Sequence, residues 1–224
     1  MFIDIVMKII AVIPAYNEEK FIGDVVKRTL KYIDKVIVVD DCSRDNTFEV
    51  ARKAGAEVIR HKVNRGKWAA LKTGFRKALE DGEVEIIIQL DGDCQHDPDE
   101  IPSFINAIKN ADVVIGKRIY RGKMPLIRKF SNFITTFLLR KMFGVNVSDS
   151  QCGYRAYRRK VLEKLNFRST GFEGETETLI LIHRLGFKII ETPIKTIYGE
   201  EKSKVKTLRD TYRFIKTLIS MKFK

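Results

Sequence analysis

Cysteine is scarce in this 224-residue sequence, and what there is does not pair. Cys42, Cys94 and Cys152 are odd in number and show no CxxC spacing. That argues against a disulfide framework and a structural zinc site, and leaves three small reduced side chains in packed loops. Histidine is as sparse, and His61, His96 and His183 form no ligand cluster. No apolar run approaches the roughly 18 residues of a membrane-crossing helix, and no basic leader precedes an apolar stretch near Met1. The expectation is a chain that faces the cytosol. No repeat, low-complexity tract or composition break marks a second domain, so residues 1–224 read as one domain with ample length for a core. Acid is also in deficit: 42 Lys and Arg against 29 Asp and Glu give a formal net charge of +13. Such a balance points to an anionic partner: nucleic acid, a phospholipid surface or a phosphorylated substrate.

What the sequence has is a regular alternation. An apolar run at 8–13 ends in Pro14-Ala15-Tyr16-Asn17-Glu18-Glu19, whose acids suit a helix N-terminus. Phe21, Ile22, Val25, Val26 and Leu30 then recur at helical spacing. A strand at 36–39 ends in Asp40-Asp41-Cys42-Ser43-Arg44-Asp45, a helix at 47–54 stops at Gly55, and a third strand covers 57–60. Asn64-Arg65-Gly66-Lys67 opens a helix carrying Ala69, Ala70, Leu71 and Phe75. The run 86–90 leads into Asp91-Gly92-Asp93-Cys94-Gln95-His96, followed by a helix from 99 to about 110 and a strand at 112–116 that delivers Lys117-Arg118. Strands alternating with helices predict βαβ units and a doubly wound, mostly parallel sheet. Ligands bind such sheets at the carboxyl ends of the strands, where all of these polar stretches fall.

Asp91 and Asp93 stand two apart, so in extended chain they share a face. Two such carboxylates repel each other, and a divalent cation removes the conflict; hard oxygen donors suit Mg²⁺ or Mn²⁺ beside a phosphate. The second half changes character. Residues 117–144 hold Lys117, Arg118, Arg121, Lys123, Arg128, Lys129, Arg140 and Lys141 with no acid, interleaved with Phe130, Phe133, Ile134, Phe137, Leu138, Met142 and Phe143. Residues 207–224 place Leu208, Tyr212, Ile215 and Ile219 on one stripe among basic residues. Both are basic amphipathic helices, suited either to a membrane surface or to packing on a core. A short strand is expected after the turn at 149–155, a helix start at Glu173 to Glu177, and a last strand at 187–192.

Taken in order, Val12-Ile13-Pro14-Ala15-Tyr16-Asn17-Glu18, Val38-Val39-Asp40-Asp41-Cys42-Ser43, Asn64-Arg65-Gly66-Lys67, Asp91-Gly92-Asp93-Cys94-Gln95-His96 and Gly116-Lys117-Arg118 resemble the family 2 glycosyltransferases of the GT-A fold. Gln95-His96 and the stretch from Asp149 to Arg155 are most similar to the polyprenyl-phosphate branch, the dolichyl-phosphate mannose synthases among them. The resemblance implies an α/β, Rossmann-like sheet with helices on both faces and C-terminal amphipathic helices. Residues 1–116 would form the nucleotide-binding half and 117–224 the acceptor-binding half. It implies that Pro14, Ala15, Tyr16, Glu18 and Asp41 hold the donor nucleoside, Asp41 reading base or ribose, with Asn64 and Lys67 also on the donor. Asp91, Asp93 and Gln95 would hold Mg²⁺ or Mn²⁺ on the diphosphate. Arg118, Arg128, Ser131, Ser203 and Lys204 would grip the diphosphate or the acceptor phosphate, with Asp149 and Arg155 on the acceptor side. Asp91, Asp93 and Arg118 make the expected catalytic group, and His96 supports it from behind.

The implied partners are a nucleotide-diphosphate sugar, GDP-mannose favoured over a UDP-sugar, a polyprenyl or dolichyl phosphate, and the cytosolic membrane surface, reached directly or through a membrane-anchoring partner. A phosphate acceptor is already ionised near neutral pH and needs no general base, whereas a sugar hydroxyl needs a carboxylate, Glu175 or Asp149. Trp68 departs from the family pattern, where a small residue usually follows the lysine. No nucleic-acid motif is present, which sets a basic nucleic-acid-binding domain far behind. A nucleotidyltransferase is disfavoured because no Gly-rich loop follows the first strand.

Overall fold

Runs of β-branched residues set the frame. Strands β1 (Lys8–Ala15), β2 (Lys35–Asp40), β3 (Glu57–Arg60) and β4 (Val84–Gln89) come from the first half, and β1, β2 and β4 are buried along most of their length. Strands covered on both faces have this near-continuous apolar character. The computed structural model describes residues 7–119, 126–171, 173–195 and 207–222, and for 126–131 and 207–212 the backbone only. Strands β5 (Val113–Ile119), β6 (Arg155–Arg158) and β7 (Ile189–Lys195) complete a seven-stranded sheet in the order β3-β2-β1-β4-β6-β5-β7.

Every neighbouring pair is parallel except those of β6, which runs antiparallel to both β4 and β5. The expected parallel α/β sheet is therefore present, with one reversed strand whose orientation periodicity could not reveal. Strand order reverses between β1 and β4, the switch point at which open sheets of this kind leave a crevice.

Helices α1 (Ile22–Thr29), α2 (Thr47–Lys53) and α3 (Lys67–Leu79) connect the first four strands. Helix α3 lies close over β1: a Cβ on Gly74 would sit 2.3 Å from Val12 Cγ1, so only glycine allows this approach. The helix expected from 99 to about 110 is divided into a 3₁₀ turn at Pro98–Glu100, helix α4 (Ile101–Ala107) and a second 3₁₀ turn at Ile108–Asn110. Asp97 caps the first turn, its carboxylate accepting the Asp99 N–H. Helices α5 (Leu126–Phe143), α6 (Arg159–Lys164), α7 (Gly174–Arg184) and α8 (Thr207–Lys222) belong to the second half.

Among the described residues no helix is long and apolar enough to cross a membrane. Leu139 of α5 and Leu218 and Met221 of α8 are buried, whereas Phe133, Ile134, Phe137, Ile215 and Ile219 are exposed. Both amphipathic helices therefore divide their apolar residues between the core and an outward face.

The chain turns abruptly where β1, β2 and β4 end. Asn17, Cys42 and Cys94 adopt φ of 55°, 65° and 61°, the only non-glycine residues with positive φ among those described. Left-handed backbone is costly for a side chain and concentrates at sites where the fold must aim groups. Here it falls on the three loops that carry the polar motifs.

Candidate active site

The β1 and β2 loops are knitted together by their own polar groups. The Asn17 N–H donates to Ser43 Oγ at 2.9 Å, the Glu18 N–H to Thr47 Oγ1 at 2.8 Å, and the Arg44 N–H to Asn17 Oδ1 at 2.8 Å. Pro14, Tyr16 and Glu18 are left half-buried beside them, while Ala15 is buried. The Asp41 carboxylate, 3% exposed as a residue, accepts from the backbone N–H groups of Arg65 (2.9 and 3.1 Å) and Gly66 (2.7 Å) and lies 2.7 Å from His61 Nδ1. The Asn64 side chain donates to the Asp41 carbonyl at 3.2 Å. Asp41 thus shapes the 64–66 loop that leads into α3. His61, read from sequence as an ordinary polar residue, bridges Asp41 and the Thr73 hydroxyl (3.0 Å).

The centre lies at the end of β4. Lys67 Nζ is 2.7 Å from Asp91 Oδ1 and 3.2 Å from Glu175 Oε1. Burial disfavours the ammonium, but Asp91 and Glu175 outweigh it and hold Lys67 protonated, with its pKa raised. Burial likewise opposes charge on Asp91, and the Lys67 ammonium reverses this, holding the carboxyl below its ordinary range. The side of this pair is closed by Gly153, where a Cβ would stand 2.9 Å from Lys67 Nζ and 3.2 Å from Asp91 Oδ2.

His96 Nδ1 accepts the Asp91 N–H at 3.1 Å, and burial pushes the imidazole down to about 4, so it stays neutral. Its ring packs on Tyr154, which stacks on Phe104 at 4.3 Å. The loop is further shaped by the Gln95 N–H donating to Asp93 Oδ1 at 3.1 Å. Among the described residues no three His, Cys, Asp or Glu side chains converge on one point. Asp91 and Asp93 nevertheless fit a divalent ion in donor chemistry. Both present hard oxygens, the Asp91 side chain is 24% exposed, and an ionised carboxylate is what such an ion requires.

Trp68 explains its own departure from the family pattern. It is fully buried, its indole N–H donates to Glu175 Oε2 at 2.6 Å, and its ring packs against Phe167 and Phe75. Glu175 is thus engaged at both oxygens, by Trp68 and by Lys67. Asp149 is engaged likewise: its two oxygens take Arg118 Nε at 2.6 Å and Nη2 at 2.8 Å. Glu191 in turn accepts the Asp149 N–H at 3.1 Å. Asp149 is therefore seated to orient Arg118 rather than to face solvent.

Arg155, expected on the acceptor side, is engaged by the backbone of its own turn and of α7. It is 0% exposed, and its guanidinium donates to the carbonyls of Cys152, Ser150 and Glu175. Arg155 braces the 150–155 turn. The side chains of Arg128 and Ser131, and all of Ser203 and Lys204, lie outside the described residues. Burial pushes the Cys152 thiol up to about 12, in keeping with an inert packed cysteine.

Residues 10–166 match the family described as Glycosyl transferase family 2. The chain belongs to that family. It is a glycosyltransferase. Among its relatives is the UDP-N-acetylglucosamine–dolichyl-phosphate N-acetylglucosaminyltransferase of Methanococcus voltae, 36% identical over 215 residues, covering 84% of this chain and 85% of that one. The undecaprenyl-phosphate mannosyltransferase of Micrococcus luteus is 32% identical over 208 residues, covering 87% and 85%. The dolichol-phosphate mannosyltransferase of Pyrococcus furiosus is 32% identical over 236 residues, covering 94% and 64%. Glucosyl-3-phosphoglycerate synthase from Mycobacterium tuberculosis, solved with Mn²⁺, UDP and product, superposes with a TM-score of 0.78 at 23% identity, covering 96% of this chain and 80% of that one. The expected GT-A fold is therefore the observed one.

Proposed function

We propose that this glycosyltransferase moves a hexose from a nucleotide-diphosphate sugar to a polyprenyl or dolichyl phosphate, with inversion at the anomeric carbon. The observation that carries the acceptor class is the state of Glu175 and Asp149. These were the carboxylates available to deprotonate a sugar hydroxyl, and both are buried with each oxygen engaged. A phosphate acceptor needs no such base, because it arrives ionised. The three relatives above carry a lipid phosphate in their names, which supports the same reading.

In this scheme the acceptor phosphate oxygen bonds to the anomeric carbon as the bond to the diphosphate oxygen breaks. The nucleoside diphosphate leaves with the electron pair. Pro14, Ala15, Tyr16 and Glu18 line the nucleoside side, and Asp41 with Asn64 fixes the loop that closes it. Asp91 and Asp93, with the Gln95 amide oxygen, would hold Mg²⁺ or Mn²⁺. When bound, that ion supplies charge neutralisation for the departing diphosphate. Lys67 and Arg118 add positive charge on the same side, Arg118 aimed by Asp149. Arg128, Ser131, Ser203 and Lys204 remain assigned to the acceptor phosphate by the family resemblance.

GDP-mannose is the favoured donor, in line with the two mannosyltransferase relatives. The Methanococcus voltae relative favours a second reading with UDP-N-acetylglucosamine. The exposed Phe133 and Phe137 of α5, with Lys141 over the Phe137 ring and Arg140 beside it, suit peripheral contact with an anionic cytosolic membrane face. The deciding experiment is a transfer assay with Mg²⁺ or Mn²⁺, polyprenyl phosphate, and GDP-mannose, UDP-glucose and UDP-N-acetylglucosamine in turn. A lipid-linked sugar from one donor is expected. Donor hydrolysis without lipid product would reject the phosphate acceptor.

A further inference from the structure

We infer that Trp68 and Glu175 form a clamp that positions Lys67 against Asp91, which makes both of them positioning residues for the donor's metal and diphosphate. The inference rests on the reading that Asp91 faces that diphosphate. Lysine is a compact charge on a flexible stem, and one carboxylate alone does not fix where its head sits. Here the head lies between two, 2.7 Å from Asp91 and 3.2 Å from Glu175. Glu175 is itself immobilised. The Trp68 indole N–H holds its other oxygen at 2.6 Å, and the buried Arg155 donates to its backbone carbonyl at 3.3 Å.

Trp68 has no room to yield. A Cβ on Gly174 would lie 2.1 Å from its Cγ, so the ring already fills the space beside α7. Its backbone N–H donates to the Thr170 carbonyl at 3.0 Å. Lys67 and Trp68 open α3, and Glu175 lies in the first turn of α7, so the clamp joins the two halves of the chain. An ammonium has three protons to give. With its head held at Asp91 Oδ1 and Glu175 Oε1, Lys67 keeps the third for a diphosphate oxygen arriving beside Asp91. Glu175 on this account acts through Lys67 and never on the acceptor.

The test is calorimetric titration of the full chain with Mn²⁺·UDP and Mn²⁺·GDP, which reads binding rather than turnover. The wild type is expected to bind one of them. Trp68→Phe keeps the ring and removes the donor; Glu175→Gln keeps an oxygen for the indole and removes the charge. Each should weaken that binding about fivefold or more, the scale of a coupled polar pair. Lys67→Met should weaken it too, and Trp68→Phe/Lys67→Met should be no weaker than Lys67→Met alone, because the clamp works through Lys67. The chain has a single tryptophan. Its one indole N–H proton resonance should therefore shift when Mg²⁺ and the bound nucleotide are added to the wild type, and stay put in Lys67→Met. Thermal melts establish folding, and Glu175→Gln alone carries the comparison if Trp68→Phe does not fold. Clamp variants that bind like the wild type, or losses that multiply in the double variant, overturn the clamp while leaving the donor site in place. A folded wild type that binds neither complex overturns the donor-site reading and this inference with it.

Discussion

Gly174→Ala is the sharpest probe of the packing behind Glu175. The added methyl would stand 2.1 Å from Trp68 Cγ and 2.3 Å from Cδ1 and Cδ2, against roughly 3.5–4.0 Å for carbon atoms in contact. Relief requires the indole to move by more than an ångström. It is fully buried, packed on Phe167 with ring centroids 5.2 Å apart, and tied to Glu175. Overpacking a core costs about 1–3 kcal/mol, and loosening the indole bond to a buried carboxylate adds about 1–3 kcal/mol. Helix propensity acts in the opposite direction, since alanine inside a helix is favoured over glycine by about 1 kcal/mol. The net expectation is a loss of about 1–5 kcal/mol, or roughly 2–20 °C in Tm at 2–4 °C per kcal/mol for a domain of this size. Gly82→Ala is the control, because nothing lies within 4 Å of its added Cβ. Differential scanning calorimetry of the two variants decides the matter. If Gly174→Ala melts with or above the wild type, the ring is not wedged and Glu175 is not anchored as described.

Asp93→Ala should reduce transfer at least about 100-fold, the scale of removing one preorganised stabiliser of the developing charge, with little change in Tm; near-normal turnover would remove Asp93 from the metal site. Arg28 donates to Asp99 at 2.7 Å, and that bond holds the Asp99 carboxyl below its ordinary 3.8. A depressed carboxyl stabilises the fold above its unfolded pKa and loses that contribution as pH falls through the folded value. The Tm gap between wild type and Arg28→Met should therefore be full at pH 6 and narrow below about pH 3.8, which melts across an acid series would show. Replacing exposed Phe133 and Phe137 by Glu should reduce co-sedimentation with anionic vesicles without lowering Tm, and unchanged sedimentation would remove α5 from the membrane contact.

Much of this architecture was legible in the residues because both faces of β1, β2 and β4 are buried, and buried parallel strands announce themselves as unbroken Val and Ile runs. The ends of those runs fixed the convergence of Pro14, Asp41 and Asp91. The reversal of β6 was not legible, because Arg155-Ala156-Tyr157-Arg158 has the same polar-apolar-apolar-polar pattern in either direction. The backbone role of Arg155 was hidden for a related reason. An arginine beside a Gly-Tyr turn looks like a ligand group, and nothing in its neighbours says that three backbone carbonyls from the 150–152 turn and α7 will consume its donors. Trp68 looked like an anomaly until Gly174 appeared opposite it, more than a hundred positions later in the chain. Steric complementarity between residues that far apart leaves no local signal.

The reversed strand also governs how the chain can be made. Strand β5 ends the first half in sequence, yet its two sheet neighbours are β6 and β7, both synthesised later. A nascent chain stopped near residue 116 can assemble β3-β2-β1-β4, but it holds β5 with no strand to pair to. It would present β4 as an open edge, the kind of surface that invites pairing with another chain. Ile88 waits for Ala156 and Val114 for Ile190. Closure of the sheet, and with it the seating of Gly153 against Asp91, is therefore an event of late translation. The Asp91 carboxylate is made well before the wall behind it, and β4 has no partner on that side until Arg155–Arg158 have been synthesised.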